Sequence, residues 1–168
     1  ALPISNYNLT QYDHFLFTYH GLPERQVKKT TCDAQCVTDK ECCAVLREGN
    51  AYCYRAQCFE TTRRIAAGMN LRPDQYTITF QSRLGSTPWI QPYTDEVIPE
   101  LVKQGKKKIL AFSPSFVADC LETVMEIGME YKELFEHNGG ERFDLAPCLN
   151  SDMAWIQGIH DLIKVNKA

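Results

Sequence analysis

The chain has 168 residues, 44% of them hydrophobic, and a formal net charge of −3. This length supports one domain with a hydrophobic core, and the mild acidic balance argues against nucleic acid as a partner. No apolar run is long enough to cross a membrane and no signal peptide is visible, which predicts a cytoplasmic protein. The chain opens on Ala1 without an initiator Met, which indicates an excised or processed segment.

Strand and helix patterns alternate along the chain. Short β-rich runs predict strands at 13–20, 76–82, 107–113 and 142–150. Stretches with helical patterning, several of which stop at Gly or Asn, predict helices at 57–70, 95–105, 115–138 and 152–165. Four strands that alternate with helices imply an α/β fold in which a parallel sheet is covered on both faces.

Three polar segments follow the predicted strands. His20 ends the first strand, the loop QSRLGSTPW (81–89) follows the second, and SPSFVADCLE (113–122) follows the third. Ligands of parallel sheets bind at the carboxyl ends of the strands, so all three segments are expected at one rim. A single His is most often a surface or core residue, but its convergence with the other two segments favours a functional role.

Four carboxylates recur within the stretch SFVADCLETVMEIGMEY (115–131). Asp119, Glu122, Glu126 and Glu130 stand at offsets of three, four and four, which puts them on one face of an α-helix. The intervening residues are mostly apolar and predict that the other faces pack in the core. One interpretation is a solvated outer face. The other is a row of oxygen ligands and proton acceptors that lines a cavity, with carboxyl pKa values raised by mutual repulsion.

The cysteines are clustered. Six of the eight lie between Cys32 and Cys58. Disulfides that staple a small secreted fold would be spread along the whole chain, and this chain has long apolar segments and no visible export signal. The clustering therefore favours a local metal or iron–sulfur site.

Several of these segments together resemble one protein family. The stretches FTYHGLPER (17–25), FQSRLGSTPWIQPYTDE (80–96), VADCLETVMEIGMEY (117–131) and CLN (148–150) are similar, in this order, to the C-terminal lobe of the ferrochelatases, which insert Fe²⁺ into a porphyrin to form haem. The resemblance implies a Rossmann-like chelatase lobe over 1–168, with a four-stranded parallel sheet flanked by helices. It also implies that an N-terminal lobe of similar fold is absent from this chain.

The resemblance also implies a π-type widening of the acidic helix and roles for individual residues. The catalytic residues would be His20, Glu122 and Asp119. The metal-handling residues would be His20, Glu122, Glu126 and Glu130. The substrate-binding residues would be Tyr19, Trp89 and Ser82. Cys120 stands where many ferrochelatases have a second histidine, so no metal role is expected there.

The segment at about 30–53 departs from the simpler ferrochelatases, which have a much shorter linker here. Some bacterial ferrochelatases hold a [2Fe–2S] cluster in such a segment, with zinc as the alternative metal. The implied ligands are Cys32, Cys36, Cys43 and Cys53. The implied partners are a porphyrin, the N-terminal lobe and a membrane surface contacted peripherally. The alternatives are a cobalt or nickel chelatase of another tetrapyrrole, or a non-enzymatic thiolate metal-binding module.

Overall fold

The computed structural model of the protein describes residues 7–30 and 40–165. Four parallel strands form one sheet in the order β2-β1-β3-β4. The strands are β1 (His14–His20), β2 (Tyr76–Gln81), β3 (Lys108–Phe112) and β4 (Arg142–Leu145). The predicted α/β fold with a four-stranded parallel sheet is therefore confirmed.

Helices connect the strands and cover both faces of the sheet. The α-helices are α1 (Glu24–Val27), α2 (Tyr54–Gly68), α3 (Thr94–Lys103), α4 (Lys132–His137) and α5 (Met153–Val165). A π-helix, Glu122–Tyr131, runs directly into α4. Short 3₁₀ turns lie at Leu9–Gln11, Lys28–Thr30, Lys40–Cys43, Glu48–Asn50 and Pro73–Gln75.

The two cores lie on opposite faces of the sheet because side chains alternate along a strand. Phe15 and Phe17 of β1 pack with α2 residues in one core. Leu16 packs in the other core with α3 and with Ile127 of the π-helix. The same alternation directs His20 toward the π-helix and Tyr19 toward α2.

Two predicted boundaries are wrong. The helix expected to begin at residue 115 begins only at Leu121, since residues 113–120 form turns and bends after β3. The strand expected to run to residue 150 ends at Leu145. Both segments contain a proline, Pro114 and Pro147, and proline lacks the N–H that a helix interior or a strand ladder uses.

Helix α5 closes the described chain as predicted, but none of its residues is buried. Its apolar side chains include Met153, Leu162 and Val165, which are 74%, 62% and 75% exposed. Within residues 7–30 and 40–165, no helix is long and apolar enough to cross a membrane. The peripheral membrane contact stays a prediction.

Candidate active site

The carboxyl ends of β1 and β2 lie side by side, with His20 paired in register to Gln81. Gly21 continues this contact, because its N–H donates to the Gln81 carbonyl oxygen at 2.8 Å. A Cβ atom on Gly21 would lie 2.9 Å from that oxygen and 3.2 Å from Trp89 Cε3. Only glycine therefore allows this close approach of the two strand ends at the rim.

The neighbours of His20 determine which nitrogen of its neutral ring carries the proton. Its Nδ1 lies 2.7 Å from the Gly21 carbonyl oxygen, which can only accept a hydrogen bond, so Nδ1 carries the proton. In the neutral ring Nε2 then keeps its lone pair. The ring centroid lies 6.4 Å from that of Trp89 and 6.3 Å from that of Phe116. The Tyr54 hydroxyl donates to the His20 carbonyl at 2.8 Å and fixes the backbone.

A cavity of about 460 Å³ lies between the loop after β2 and the π-helix. Its lining residues are Ser82, Arg83, Leu84, Leu121, Glu122, Met125, Glu126 and Glu130. Three of the four predicted carboxylates thus line one cavity, which favours the cavity interpretation of the acidic row. The π-helix keeps these residues together because its wider turn brings positions four and five apart onto one face.

Asp119 is the carboxylate that does not belong to this row. It lies before the helix, where its oxygens accept hydrogen bonds from the Asn150 side chain at 2.7 Å and the Cys148 N–H at 3.1 Å. These bonds, with the Asn150 contact the largest, lower the carboxyl pKa. Asp119 ties the segment after β3 to the segment after β4, and the predicted four-membered stripe is therefore wrong.

Glu122 begins the π-helix, and its carboxyl pKa is also lowered. The causes that lower it are a hydrogen bond with Cys120, the backbone N–H of Glu122 itself and an electrostatic contribution from His20. The electrostatic contribution of His20, the smallest of these, indicates that the imidazole lies within electrostatic range of this carboxylate. The expectation that repulsion raises carboxyl pKa values is wrong for Glu122 and Asp119, because hydrogen-bond donors outweigh the neighbouring charges.

Glu126 is occupied by hydrogen bonds on both carboxylate oxygens. Oε1 accepts from the Ser82 N–H at 2.8 Å and from the Tyr131 hydroxyl at 2.7 Å. Oε2 accepts from the Ser82 hydroxyl and from Gln81 Nε2. Ser82 has a positive φ of 63°. Glu126 therefore anchors the strained turn at the end of β2 to the π-helix.

The three predicted substrate-binding residues lie in different places. Trp89 is half-buried beside His20, and its Nε1 donates to the Leu84 carbonyl at 3.0 Å. Ser82 lines the cavity. Tyr19 does not reach the rim, because it is 2% exposed and its hydroxyl bonds to Thr62 on the α2 face. Tyr19 and His20 are adjacent in β1, so their side chains point to opposite faces of the sheet, and the role implied for Tyr19 did not take this into account.

The apolar residues of the acidic helix are mostly exposed. Leu121, Val124, Met125 and Met129 are 72%, 52%, 41% and 47% exposed, whereas Ile127 is fully buried. The prediction that the other faces of this helix pack in the core is therefore wrong for this chain. An apolar border of this extent around a cavity indicates a surface that another molecule or chain segment covers.

The cysteines that the structure describes are partly assembled. Cys43 hydrogen-bonds to Cys53, and burial together with this contact raises the Cys43 pKa. Cys58 lies nearby in α2, and burial raises its thiol pKa to about 12. Cys32 and Cys36 lie outside the described residues. Among the described residues, no group of three or more His, Cys, Asp or Glu side chains could hold a metal ion.

A second, larger cavity lies away from this rim. It has a volume of about 700 Å³ and lies at the amino end of β2, between Tyr76 and α2. Two guanidinium groups, Arg55 and Arg63, line it. None of the three carboxylates that line the smaller cavity contributes to the wall of this larger one.

Sequence reasoning missed the residues that hold the site in place. Tyr54 fixes the His20 backbone, Tyr131 binds Glu126, and Arg55 contacts both Cys43 and the Gln91 carbonyl. Tyr131 stands five residues after Glu126, which is the neighbour spacing of a π-helix. Once that widening is expected, this one pair can be found from the sequence; the other contacts join segments that are distant in the chain.

Comparison with known proteins gives consistent results. The ferrochelatase family model matches residues 4–167. A ferrochelatase of Legionella pneumophila (strain Corby) is 50% identical over 150 residues, which are 89% of this chain and 44% of that protein. Ferrochelatases of Bdellovibrio bacteriovorus and Coxiella burnetii (strain Dugway 5J108-111) are 46% identical over 154 and 159 residues, each 45% of the relative. The chain therefore spans less than half the length of these relatives.

The fold also resembles a solved structure of low sequence similarity. The crystal structure of a putative cobalamin (vitamin B12) biosynthesis CbiX protein from Marinobacter aquaeolei VT8 has a TM-score of 0.50 and 14% identity, over 91% of this chain and 95% of that chain. This likeness concerns the fold alone. Because the family model covers nearly all of the sequence, the chain belongs to the ferrochelatase family.

Proposed function

We propose that this chain forms one half of a site that inserts Fe²⁺ into a porphyrin. The observation that carries the proposal is His20, whose Nε2 keeps a lone pair, within electrostatic range of Glu122, which lines a cavity with two further carboxylates. Metal insertion releases two pyrrole protons for each Fe²⁺ bound. A neutral imidazole and an ionised carboxylate at one rim are suitable acceptors for those two protons.

The remaining carboxylates have different roles in this proposal. Glu130 is exposed and lines the same cavity, so it can bind Fe²⁺ or pass protons to solvent. Glu126 already accepts hydrogen bonds on both oxygens and positions the Ser82 turn. Asp119 supports the segment that leads to Glu122. Fe²⁺ is the substrate of the reaction and needs no permanent protein site.

The shape of the rim fits a flat apolar substrate. Leu84 and Leu121 are 80% and 72% exposed at the cavity, and Trp89 stands beside His20. A porphyrin must also be held on its second face, and the relatives contain about as much chain again as this one. We propose that an N-terminal lobe provides that face, and that the 168-residue chain folds but does not turn over alone.

The cysteine segment has a separate role in the proposal. Cys43 and Cys53 are buried, contact each other and have a guanidinium donor on the Cys43 sulfur, which suits thiolate ligands of a [2Fe–2S] cluster or zinc. Cys32 and Cys36 would complete the ligand set. Bound metal would order the segment after β1. It would take no part in the insertion step, because these thiols lie in the α2 core and not at the cavity.

The test is metal insertion by this chain combined with the N-terminal lobe of a close relative. His20→Ala and Glu122→Gln should each lower Fe²⁺ insertion by about 100-fold or more, the usual contribution of a general base. Glu133→Gln on exposed α4 is the matched control and should retain activity. Near-normal insertion by both site variants would exclude this site. Preference for Co²⁺ or Ni²⁺ over Fe²⁺ would favour the other chelatase class, and no insertion of any metal would favour a non-enzymatic module.

A further inference from the structure

Arg55, the second residue of α2, is a buried cation that touches two different segments. It is 6% exposed. Its Nη1 donates to the Cys43 sulfur at 3.1 Å, its Nε donates to the Gln91 carbonyl at 3.3 Å, and its guanidinium carbon lies 4.7 Å from the centre of the Phe59 ring. The planar guanidinium group fixes these donors relative to one another. One rigid group therefore bridges a thiol and the backbone of a distant loop.

The Gln91 end of this bridge belongs to the segment that carries Trp89. That segment pairs with the chain just after His20, since the Ile90 N–H donates to the Leu22 carbonyl at 3.0 Å. Trp89 in turn donates from Nε1 to the Leu84 carbonyl at the edge of the cavity. A shift of the Gln91 carbonyl would therefore change how Trp89 sits at the rim.

The Cys43 end of the bridge lacks a full counter-charge. Among the described residues, no carboxylate lies within ion-pair distance of Arg55, and its hydrogen-bond acceptors are a thiol and a carbonyl. Hydrogen bonds from a guanidinium to a charged acceptor are shorter and stronger than those to a neutral one. Two hydrogen bonds, and not an ion pair, therefore hold the Arg55 guanidinium group in place.

We propose that Arg55 is a positioning residue that couples the Cys43 sulfur, as a hydrogen-bond acceptor, to Trp89 at the rim of the site. The functional meaning of this coupling rests on the proposed porphyrin site, which Trp89 borders. Arg63 offers a contrast on the same helix. It donates to the Cys43 backbone carbonyl at 2.9 Å and to the Glu60 carboxylate, and it makes no hydrogen bond to the Cys43 sulfur.

The test follows the indole N–H of Trp89 by hydrogen exchange in NMR spectra of the reduced 168-residue chain. The chain has two tryptophans, so a Trp155→Phe background leaves one indole signal. Cys43→Ala removes the sulfur acceptor and should raise the exchange rate about threefold or more, within the range of couplings across a shared hydrogen-bond network. Cys43→Ser keeps an acceptor and should restore a rate close to that of the background.

The second half of a double-mutant cycle tests Arg55 itself. Arg55→Lys should raise the exchange rate and abolish any further effect of Cys43→Ala, because lysine cannot reach both partners with a rigid fork. Arg63→Lys is the control and should leave the Cys43→Ala effect intact. If circular dichroism shows that Cys43→Ala does not fold, the exchange rate is compared instead between the background and an Arg55→Met variant that keeps Cys43.

Three outcomes would overturn the coupling. Cys43→Ala could change the Trp89 exchange rate equally with Arg55 present and in the Arg55→Lys variant, or Cys43→Ala and Cys43→Ser could change it equally. Where Arg55→Met is used instead, the third outcome is an unchanged exchange rate. Each would show that packing alone is involved. The exchange measurement uses neither porphyrin nor Fe²⁺. Failure of the Arg55 coupling and failure of the proposed insertion activity are therefore separate results.

Discussion

Replacing Glu126 distinguishes an anchoring role from a role in handling metal or protons. Its carboxylate accepts hydrogen bonds from the Ser82 N–H, the Ser82 hydroxyl, Gln81 and the Tyr131 hydroxyl. Glu126→Ala would remove every acceptor at once. The Tyr131 side chain is buried, and Ser82 has a φ of 63°, so neither partner can turn freely toward water.

The expected cost can be estimated from the donors left without a partner. Each unpaired buried donor costs about 1–3 kcal/mol, so loss of the Ser82 N–H and Tyr131 hydroxyl bonds gives about 3 kcal/mol. Glu126→Gln keeps one carbonyl oxygen as acceptor for the Ser82 N–H and the Tyr131 hydroxyl and replaces the other oxygen with an NH₂ that can donate to the Ser82 hydroxyl, which gives about 1 kcal/mol. Glu130 lines the same cavity but is exposed, and Glu130→Ala should cost less than about 0.5 kcal/mol.

Urea unfolding of the three variants measures these differences, and Fe²⁺ insertion with the N-terminal lobe measures function. An anchoring role predicts that Glu126→Gln retains most activity while Glu126→Ala loses activity and stability together. Equal stability of Glu126→Ala and Glu130→Ala would refute the hydrogen-bond argument. A Glu126→Gln chain that is stable but inactive would instead assign Glu126 to the metal or proton path.

Three further predictions concern other parts of the fold. Burial lowers the pKa of His14 to about 4, below the 6.5 of the unfolded chain. Between these pH values the unfolded state binds a proton that the folded state does not, so about 3 kcal/mol of stability is lost as pH falls from 6.5 to 4. Urea titrations of His14→Gln should show no such loss. Gly21→Ala forces Cβ to within 2.9 Å of the Gln81 oxygen and should displace Trp89, seen as a fluorescence shift; an unchanged spectrum contradicts the tight contact. Deleting residues 153–165 should change the unfolding free energy by less than about 1 kcal/mol, because α5 buries no side chain; a larger loss in urea unfolding would mean that α5 packs on the sheet.

The sequence was sufficient to predict the arrangement of elements and the rim. The periodicity of hydrophobic residues located all four strands within a few residues, and Gly or Pro residues indicated where elements end. The exception is β4, which is shorter than predicted. The parallel order then brings the end of β1 next to the end of β2, which puts His20 beside the loop of Ser82 and Trp89. This inference needs only the rule that parallel strands share a carboxyl edge.

The details of the acidic row could not be read in the same way. An α-helical period places Asp119 on a stripe that it does not join, because the helix begins later and widens into a π-helix. The side-chain pKa directions were also missed, since they depend on donors such as Cys148 N–H and Asn150 that come from a distant segment. Local spacing carries no information about those contacts.

Two groups at the candidate site, His20 and Trp89, are held through atoms that the proposed reaction does not use. His20 is fixed by Nδ1 and by its own carbonyl, which leaves Nε2 available. Trp89 is fixed through its indole nitrogen, which leaves a ring face beside the imidazole. Such positioning reduces the freedom that each group must lose when substrate binds. For the proposed porphyrin site, we therefore expect these pre-formed groups to serve one face of the ring and another lobe to serve the other.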